Sequence, residues 1–135
     1  MTSRIIELLC FIVAVFCVTT AAQTELTLVT VNMPKYPPLA RQARIEGVVK
    51  LTFTLSAHSG EPTNIEVVSG HPILKGAAID NVRTWKFENL YAVERKYETT
   101  FRYRLSDQPT SATVTFESFH KVDLVADVPQ TIINY

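Results

Sequence analysis

The sequence predicts an α+β domain in which two helices pack on one face of a small antiparallel sheet, with three core strands and an added C-terminal strand. Three observations carry this prediction. Apolar and polar residues alternate over residues 49–57 and again over residues 97–105, as in strands with one buried face. Between these segments, apolar residues recur at helical spacing after Pro72. A pattern that changes from period 2 to period 3.6 and back predicts a sheet covered by a helix.

The strand predicted over residues 48–57 is followed by a turn-rich segment and by a second strand over residues 63–69. The two strands are expected to form a hairpin, with Gly60 taking a positive φ in the turn. A helical crossover then favours a third strand parallel to the second, which places the first strand between them. Residues 63–69 and 97–105 are therefore predicted to be the opposite edges of the core sheet.

Prolines mark the start of both predicted helices, because proline is favoured at the first helical position. The first helix is expected to begin at Pro37 or Pro38 and to end at Gly47, covering the sheet with Leu39 and other apolar residues. The second helix begins at Pro72. Its apolar stripe comprises Leu74, Ala77, Ala78, Val82 and Trp85, and both Trp85 and Phe87 are predicted to be core residues.

The two ends of the chain add shorter strands to this plan. Residues 26–31 predict a strand in an N-terminal arm, and residues 112–119 predict another after a loop that contains Pro109. Residues 122–128 repeat the alternation more weakly. We expect residues 112–119 to form a hairpin with residues 97–105 and so to occupy that edge of the sheet.

The first 22 residues resemble a secretory signal peptide. Arg4 precedes an unbroken apolar run over residues 8–18, and small residues at 20–22 suit cleavage before Gln23. The run is shorter than the roughly 20 residues that cross a bilayer. We therefore expect a periplasmic or secreted protein, with an uncleaved signal anchor as the alternative. The predicted organisation is a signal peptide (1–22), an arm (23–35), a domain (36–105) and a C-terminal extension (106–135).

Composition argues against several classes of function. Lys and Arg together number 13, as do Asp and Glu, so the chain lacks the positive excess that a nucleic-acid partner requires. Both cysteines, Cys10 and Cys17, lie in the signal segment, which leaves no thiol for a disulfide, a nucleophile or a metal site. His58, His71 and His120 lack metal-ligand spacing, and the chain has no Gly-x-Ser-x-Gly elbow or glycine-rich phosphate loop. We predict a protein that is not an enzyme and has no cofactor, with a small periplasmic hydrolase as the remote alternative.

Residues 36–87 contain a series of sequence motifs typical of a known family. This segment opens with Tyr36-Pro37 and Ala40-Arg41 and closes with Trp85-Lys86-Phe87, and so resembles the C-terminal domain family of TonB energy transducers. The matching residues, in order, are Tyr36, Pro37, Ala40, Arg41, Gly47, Val49, Phe53, Gly60, Ile65, Val67, Ser69, Gly70, Leu74, Ala77, Ala78, Trp85 and Phe87.

The resemblance implies a periplasmic domain with two helices against a three-stranded antiparallel sheet. Its last strand and the stretch around Tyr-Pro would bind outer-membrane receptors. The partner-binding residues that this implies are Pro34, Tyr36, Pro37, Tyr97, Thr99, Phe101, Arg102, Tyr103 and Arg104. The expected function is recognition of an outer-membrane receptor or another envelope protein by strand addition, linked to TonB-dependent transport across the envelope. The alternative is a self-associating envelope protein whose edge strand pairs with a second copy in a homodimer.

The chain also departs from the family pattern. Family transducers carry a membrane anchor and a long proline-rich spacer, whereas only residues 23–35 separate the expected cleavage site from Tyr36. We therefore do not expect the chain by itself to transmit force from an inner-membrane motor. Met33 stands where the family has glutamine, although Pro34 is kept.

Overall fold

The computed structural model describes residues 26–88, 93–108 and 112–129. The predicted signal peptide lies outside these residues. The described elements are β1 (Thr27–Thr30), α1 (Pro38–Gln42), β2 (Gly47–Leu55), β3 (Pro62–Ser69), α2 (Pro72–Val82), β4 (Lys86–Glu88), β5 (Arg95–Ser106), β6 (Thr113–Ser118) and β7 (Lys121–Asp127). No helix in this described part is long and apolar enough to cross a membrane.

The described strands form two sheets. The larger has the order β3-β2-β5-β7-β6, and the smaller pairs β1 with β4. β2 is antiparallel to both β3 and β5, so the predicted hairpin and the central position of the first strand are confirmed. The α+β class, with helices against a mostly antiparallel sheet, is confirmed as well.

The prediction for the C-terminal strand is wrong in its pairing. β6 does not pair with β5; β7 lies between them, parallel to β5 and antiparallel to β6. Burial explains the choice. The inward side chains of β7, at Val122, Leu124 and Ala126, are 0 to 3% exposed, whereas those of β6 stay partly exposed. A strand with a neighbour on each side buries more surface, and β7 supplies the more apolar face for that position.

The core lies between the larger sheet, α2 and the segment that follows α2. It comprises Ala40, Val49, Leu51, Phe53, Leu55, Leu74, Ala78, Val82, Trp85, Phe87, Phe101, Tyr103, Val122 and Leu124. The core positions predicted for Trp85 and Phe87 are confirmed, at 0% and 5% exposure. Trp85 reaches the core from outside the helix, because α2 ends at Val82.

The first helix is shorter than predicted. α1 is a five-residue turn that buries Ala40 but leaves Leu39 exposed, so the expectation that Leu39 covers the sheet is wrong. The physical reason lies in the residues after Gln42. Ala43 caps the turn, and Arg44 adopts a left-handed backbone with φ of 53° that ends the helix.

Gly60 serves close packing rather than a left-handed turn. Positive φ values in this region occur at His58 and Asn64 instead. A Cβ atom at Gly60 would lie 2.1 Å from the carbonyl oxygen of Phe87, whose amide donates to the Gly60 carbonyl at 2.8 Å. The absence of a side chain at Gly60 therefore lets β4 lie directly against the β2–β3 turn.

Candidate partner-binding edge

β5 is the strand on which most of the predicted binding residues lie, and its backbone has neighbours on both sides. β2 pairs with it from Arg95 to Tyr103, and β7 pairs with it from Thr100 to Ser106. Successive amides of a strand point to opposite neighbours. The amide of Thr100 donates towards the hairpin, to the carbonyl of His120, while the amide of Leu105 donates to the Glu46 carboxylate beyond the start of β2. Even-numbered amides of β5 therefore face β7 and odd-numbered amides face β2.

The turn between β6 and β7 extends the covered part of this edge. His120 Nδ1 lies 2.9 Å from the carbonyl oxygen of Glu98. Because a carbonyl oxygen can only accept, Nδ1 carries the proton and donates. At the other end, the amide of Val128 donates to the carbonyl of Ser106 at 3.2 Å. The β5 edge is thus covered from Glu98 to Ser106.

Arg41 connects this covered edge to α1. Its Nε and Nη2 atoms both donate to the carbonyl oxygen of Asp127, at 3.1 and 2.9 Å. Asp127 is the last residue of β7, so one side chain of the first helix holds the end of the last described strand. Hydrogen bonds from a charged guanidinium are stronger than neutral ones, which makes this a firm contact.

The predicted Tyr-Pro region lies beside the end of β5. The hydroxyl of Tyr36 donates to the carbonyl of Ile45 at 2.7 Å, and its ring packs edge-on against Tyr103 with ring centroids 5.3 Å apart. Burial, and then the negative charge of Glu46, raise the pKa of Tyr36 to about 12. Pro34 is buried and Pro37 is half-buried just before α1. The structure therefore brings the Tyr-Pro region and the end of β5 together.

Tyr103 differs from Tyr36 in its polar surroundings. It is 1% exposed, and its hydroxyl has no hydrogen-bond partner among the described residues. Burial and the adjacent Tyr36 raise the pKa of Tyr103. The ring of Tyr103 is therefore a packing group whose hydroxyl makes no hydrogen bond to the part of the chain that the structure describes.

The other predicted residues divide between the two faces of β5. Thr99 and Phe101 are fully buried on the helix side, and Tyr97 is half-buried there. Arg102 and Arg104 are exposed on the opposite face. In this conformation the inward side chains cannot contact a partner, whereas the arginines can.

Two ion pairs join charged side chains on the outer face of the sheet. Lys96 lies 2.8 Å from Glu66 and lowers its pKa by hydrogen bonding and by its charge. Arg102 Nε lies 3.7 Å from the Oδ1 atom of Asp123, which is 8% exposed. The Lys96–Glu66 pair is exposed on both sides, and exposed pairs contribute little to stability.

Two of the histidines, His71 and His120, make hydrogen bonds within the fold. His71 caps α2 by accepting from the amide of Ile73 at 3.3 Å, and His120 bonds the β5 edge. Within the described ranges no group of three histidine, cysteine or acidic residues is placed to hold a metal ion.

Sequence reasoning missed Arg41, His120 and Asp127 as residues of this edge. Arg41 could have been predicted as a site residue, because it belongs to the Ala-Arg pair of the family motif. His120 and Asp127 carry no local signal, since their roles depend on which strand pairs with β5.

The fold and the edge together define a small α+β domain organised around one long strand and its pairing partners. Residues 32–105 match the family described as Gram-negative bacterial TonB protein C-terminal. That match covers more than half of the chain, and the chain belongs to this family, as the sequence wording predicted. The matched segment ends inside β5, so β6 and β7 lie beyond it.

Individual relatives are similar over part of their length. The TonB proteins of Xanthomonas campestris pv. campestris strains B100 and ATCC 33913 are each 38% identical over 68 residues. The alignment covers 49% of this chain and 30% of each relative, so the chain spans less than a third of their length. The solution structure of the Pseudomonas aeruginosa TonB C-terminal domain is 25% identical with a TM-score of 0.49, over 61% of this chain and 88% of that domain.

Proposed function

We propose that this chain is an envelope protein-interaction module, tied to TonB-dependent transport, that recognises an extended segment of an outer-membrane receptor or another envelope protein. Recognition occurs by addition of that segment to the edge of β5. The main support for the proposal is the pairing of β7 with β5. β7 comes from outside the family segment and adds to β5 as an ordered strand over Thr100 to Ser106.

The physical basis is the backbone of β5. A strand edge offers a row of N–H and C=O groups that an extended chain can pair with, whatever its exact sequence. Side chains of the added strand would alternate between the core side, next to Phe101, and the outer face, next to Arg102 and Arg104. The Tyr36 region lies at the end of β5 and extends the same surface.

Site-specific photo-crosslinking in native envelopes tests this function. A benzophenone amino acid replaces Arg104, which is exposed on β5, or Arg83, which is exposed at the end of α2 and serves as the matched control. We expect an adduct at position 104 on one defined segment of an envelope protein and a much weaker one at position 83. A synthetic peptide of the crosslinked segment should then shift the amide resonances of Thr100, Arg102 and Arg104, and a scrambled peptide should not. Equal adducts at both positions, or a peptide that leaves these amides unchanged, would contradict the proposal.

Self-association is the second candidate. Among the described strands, β3 and β6 are the outer strands of the larger sheet, and Val67 and Val68 of β3 are 38% and 58% exposed. An apolar edge strand can pair with a second copy. A molecular mass that rises with concentration, and falls when Val68→Lys is introduced, would favour this function. A monomer over the accessible concentration range would eliminate it.

A further inference from the structure

We infer that the β6–β7 hairpin is the resident occupant of the strand-binding edge of β5, and that Arg41 is the residue that holds it in place. A partner segment then binds by displacing part of this chain rather than by adding to an open edge. The identification of the β5 edge as a partner-binding site rests on the proposed function. The occupancy and the role of Arg41 are testable without any partner.

β7 pairs with the C-terminal part of β5 without interruption. Seven register pairs join β5 and β7, from Thr100 opposite Lys121 to Ser106 opposite Asp127. His120 adds its carbonyl and its ring at one end of the pairing, and Val128 adds its amide at the other. A second strand has no room on this edge while β7 is in place.

Side-chain packing shows what an occupant of this edge must supply. β7 turns three alternate apolar residues inward, at Val122, Leu124 and Ala126. The hairpin turn adds Phe119, whose ring contacts Phe87 and Tyr97 with centroids 5.4 and 5.9 Å apart. A competing segment is therefore an extended peptide with apolar residues at every second position.

Arg41 supplies the fixed end of the pairing. Its two hydrogen bonds go to a main-chain carbonyl, so they select an extended backbone that reaches this point and not a particular side chain. Arg41 lies in the family segment, while Asp127 lies in the extension beyond it. The Arg41 side chain therefore connects the family segment to the extension through two hydrogen bonds to one carbonyl oxygen.

Amide hydrogen exchange of the full chain by NMR tests the occupancy. The variant Arg41→Gln removes the charged donor, and Arg44→Gln is the matched control, with the same change three residues away on an exposed side chain. Loss of a charged hydrogen bond should raise the frequency of hairpin opening by about 10- to 100-fold. We expect that acceleration at the amides of Thr100, Arg102 and Arg104, which face β7.

The same strand contains the internal control. Amides of Phe101 and Tyr103 face β2 and should keep their exchange rates in Arg41→Gln. Acceleration confined to the even-numbered amides supports the inference. Unchanged rates throughout, or equal acceleration on both sides of β5, would overturn it.

A peptide probe separates this inference from the proposed function. The probe is a labelled synthetic peptide of residues 120–126, which carries the β7 sequence but ends before the Asp127 carbonyl that Arg41 binds. It should bind Arg41→Gln at least about tenfold more tightly than the parent chain, because the variant weakens the hold on the hairpin without removing a contact of the probe. Arg104→Cys with Val125→Cys, which are register partners, should abolish binding when oxidised and restore it when reduced, in a chain whose Cys10 and Cys17 are replaced by serine.

The outcomes of the two experiments are distinguishable. Selective opening without peptide binding would leave the occupancy standing and contradict strand addition as the function. Peptide binding that is equal in the parent, in Arg41→Gln and in the oxidised double variant would overturn the occupancy, because the peptide would then bind elsewhere.

Discussion

Tyr36 and Tyr103 are in ring contact, but their hydroxyl groups have opposite effects on stability. Tyr36 and Tyr103 pack edge-on, yet the hydroxyl of Tyr36 donates to the Ile45 carbonyl, while the hydroxyl of Tyr103 is buried without a partner among the described residues. A satisfied hydrogen bond contributes a modest net stabilisation, whereas a buried polar group without a partner opposes folding. The same residue type therefore acts in opposite directions at two positions in contact.

Removing each hydroxyl should separate these effects. Tyr36→Phe should lower the free energy of unfolding by about 0.5–1.5 kcal/mol, the usual contribution of one hydrogen bond. Tyr103→Phe should leave it unchanged or raise it, because the ring keeps its packing and the unpaired hydroxyl is lost. Urea denaturation of both variants checks the contrast. A loss for Tyr103→Phe as large as that for Tyr36→Phe would show that the Tyr103 hydroxyl has a partner after all.

At the scale of elements, the β2–β3 turn and β4 are joined by close backbone packing at Gly60. The nearest atom to a Cβ there would be a backbone oxygen of β4, which cannot move aside as a flexible side chain could. Gly76 in the middle of α2 is the opposite case, with no atom within 4 Å of its Cβ position. Gly60 is therefore required by close backbone packing. Gly76 has no such requirement and only lowers the helix propensity of α2.

Alanine at each glycine should have opposite effects on stability. Gly60→Ala should destabilise the fold by about 1–3 kcal/mol or more, since the turn and β4 must separate to admit the methyl group. Gly76→Ala should stabilise it by about 0.5–1 kcal/mol, because alanine is the better helix former. Thermal unfolding followed by circular dichroism measures both. A Gly60→Ala variant within about 0.5 kcal/mol of the parent would contradict the close approach.

At the scale of the whole molecule, Trp85 connects the helix, the sheet and the C-terminal hairpin. Its indole nitrogen donates to Asn81 Oδ1 at 3.0 Å in α2, its ring stacks on Phe101 of β5, and it meets Phe116 of β6 edge-on. Asn81 in turn donates to the carbonyl of Asn32, in the segment between β1 and α1. The extension is therefore packed into the same core as the family segment.

Removal of this indole should have a large effect. Trp85→Ala should lower the free energy of unfolding by about 3–5 kcal/mol, the usual range for a large buried aromatic residue. Val29→Ala, at a side chain that is 64% exposed, is the control and should change it by less than about 0.5 kcal/mol. Denaturation followed by circular dichroism measures both variants. A loss below about 1 kcal/mol for Trp85→Ala would mean that Trp85 is not part of the core.

Features that depend on residues close together in the chain could be predicted from the sequence. Alternation predicted β2 and β3 and their hairpin, because a half-buried strand must place apolar residues at every second position. Pro72 correctly marked the start of α2. The crossover rule placed β2 between β3 and β5, since a helical connection favours parallel strands. The wording from Tyr36 to Phe87 identified the family.

The strand of the extension that pairs with β5 could not be predicted, because the pairing depends on contacts between residues far apart in the chain. Alternation shows that a segment has an apolar face, but not which neighbour its backbone meets, so the sequence pointed to residues 112–119 as the partner of β5 when the partner is β7. In the folded chain Val122 and Leu124 of β7 belong to the buried core, whereas Val114 and Phe116 of β6 are partly buried against it. The roles of Arg41 and Gly60 follow from the same long-range packing, because each acts on a backbone carbonyl that is remote in the chain.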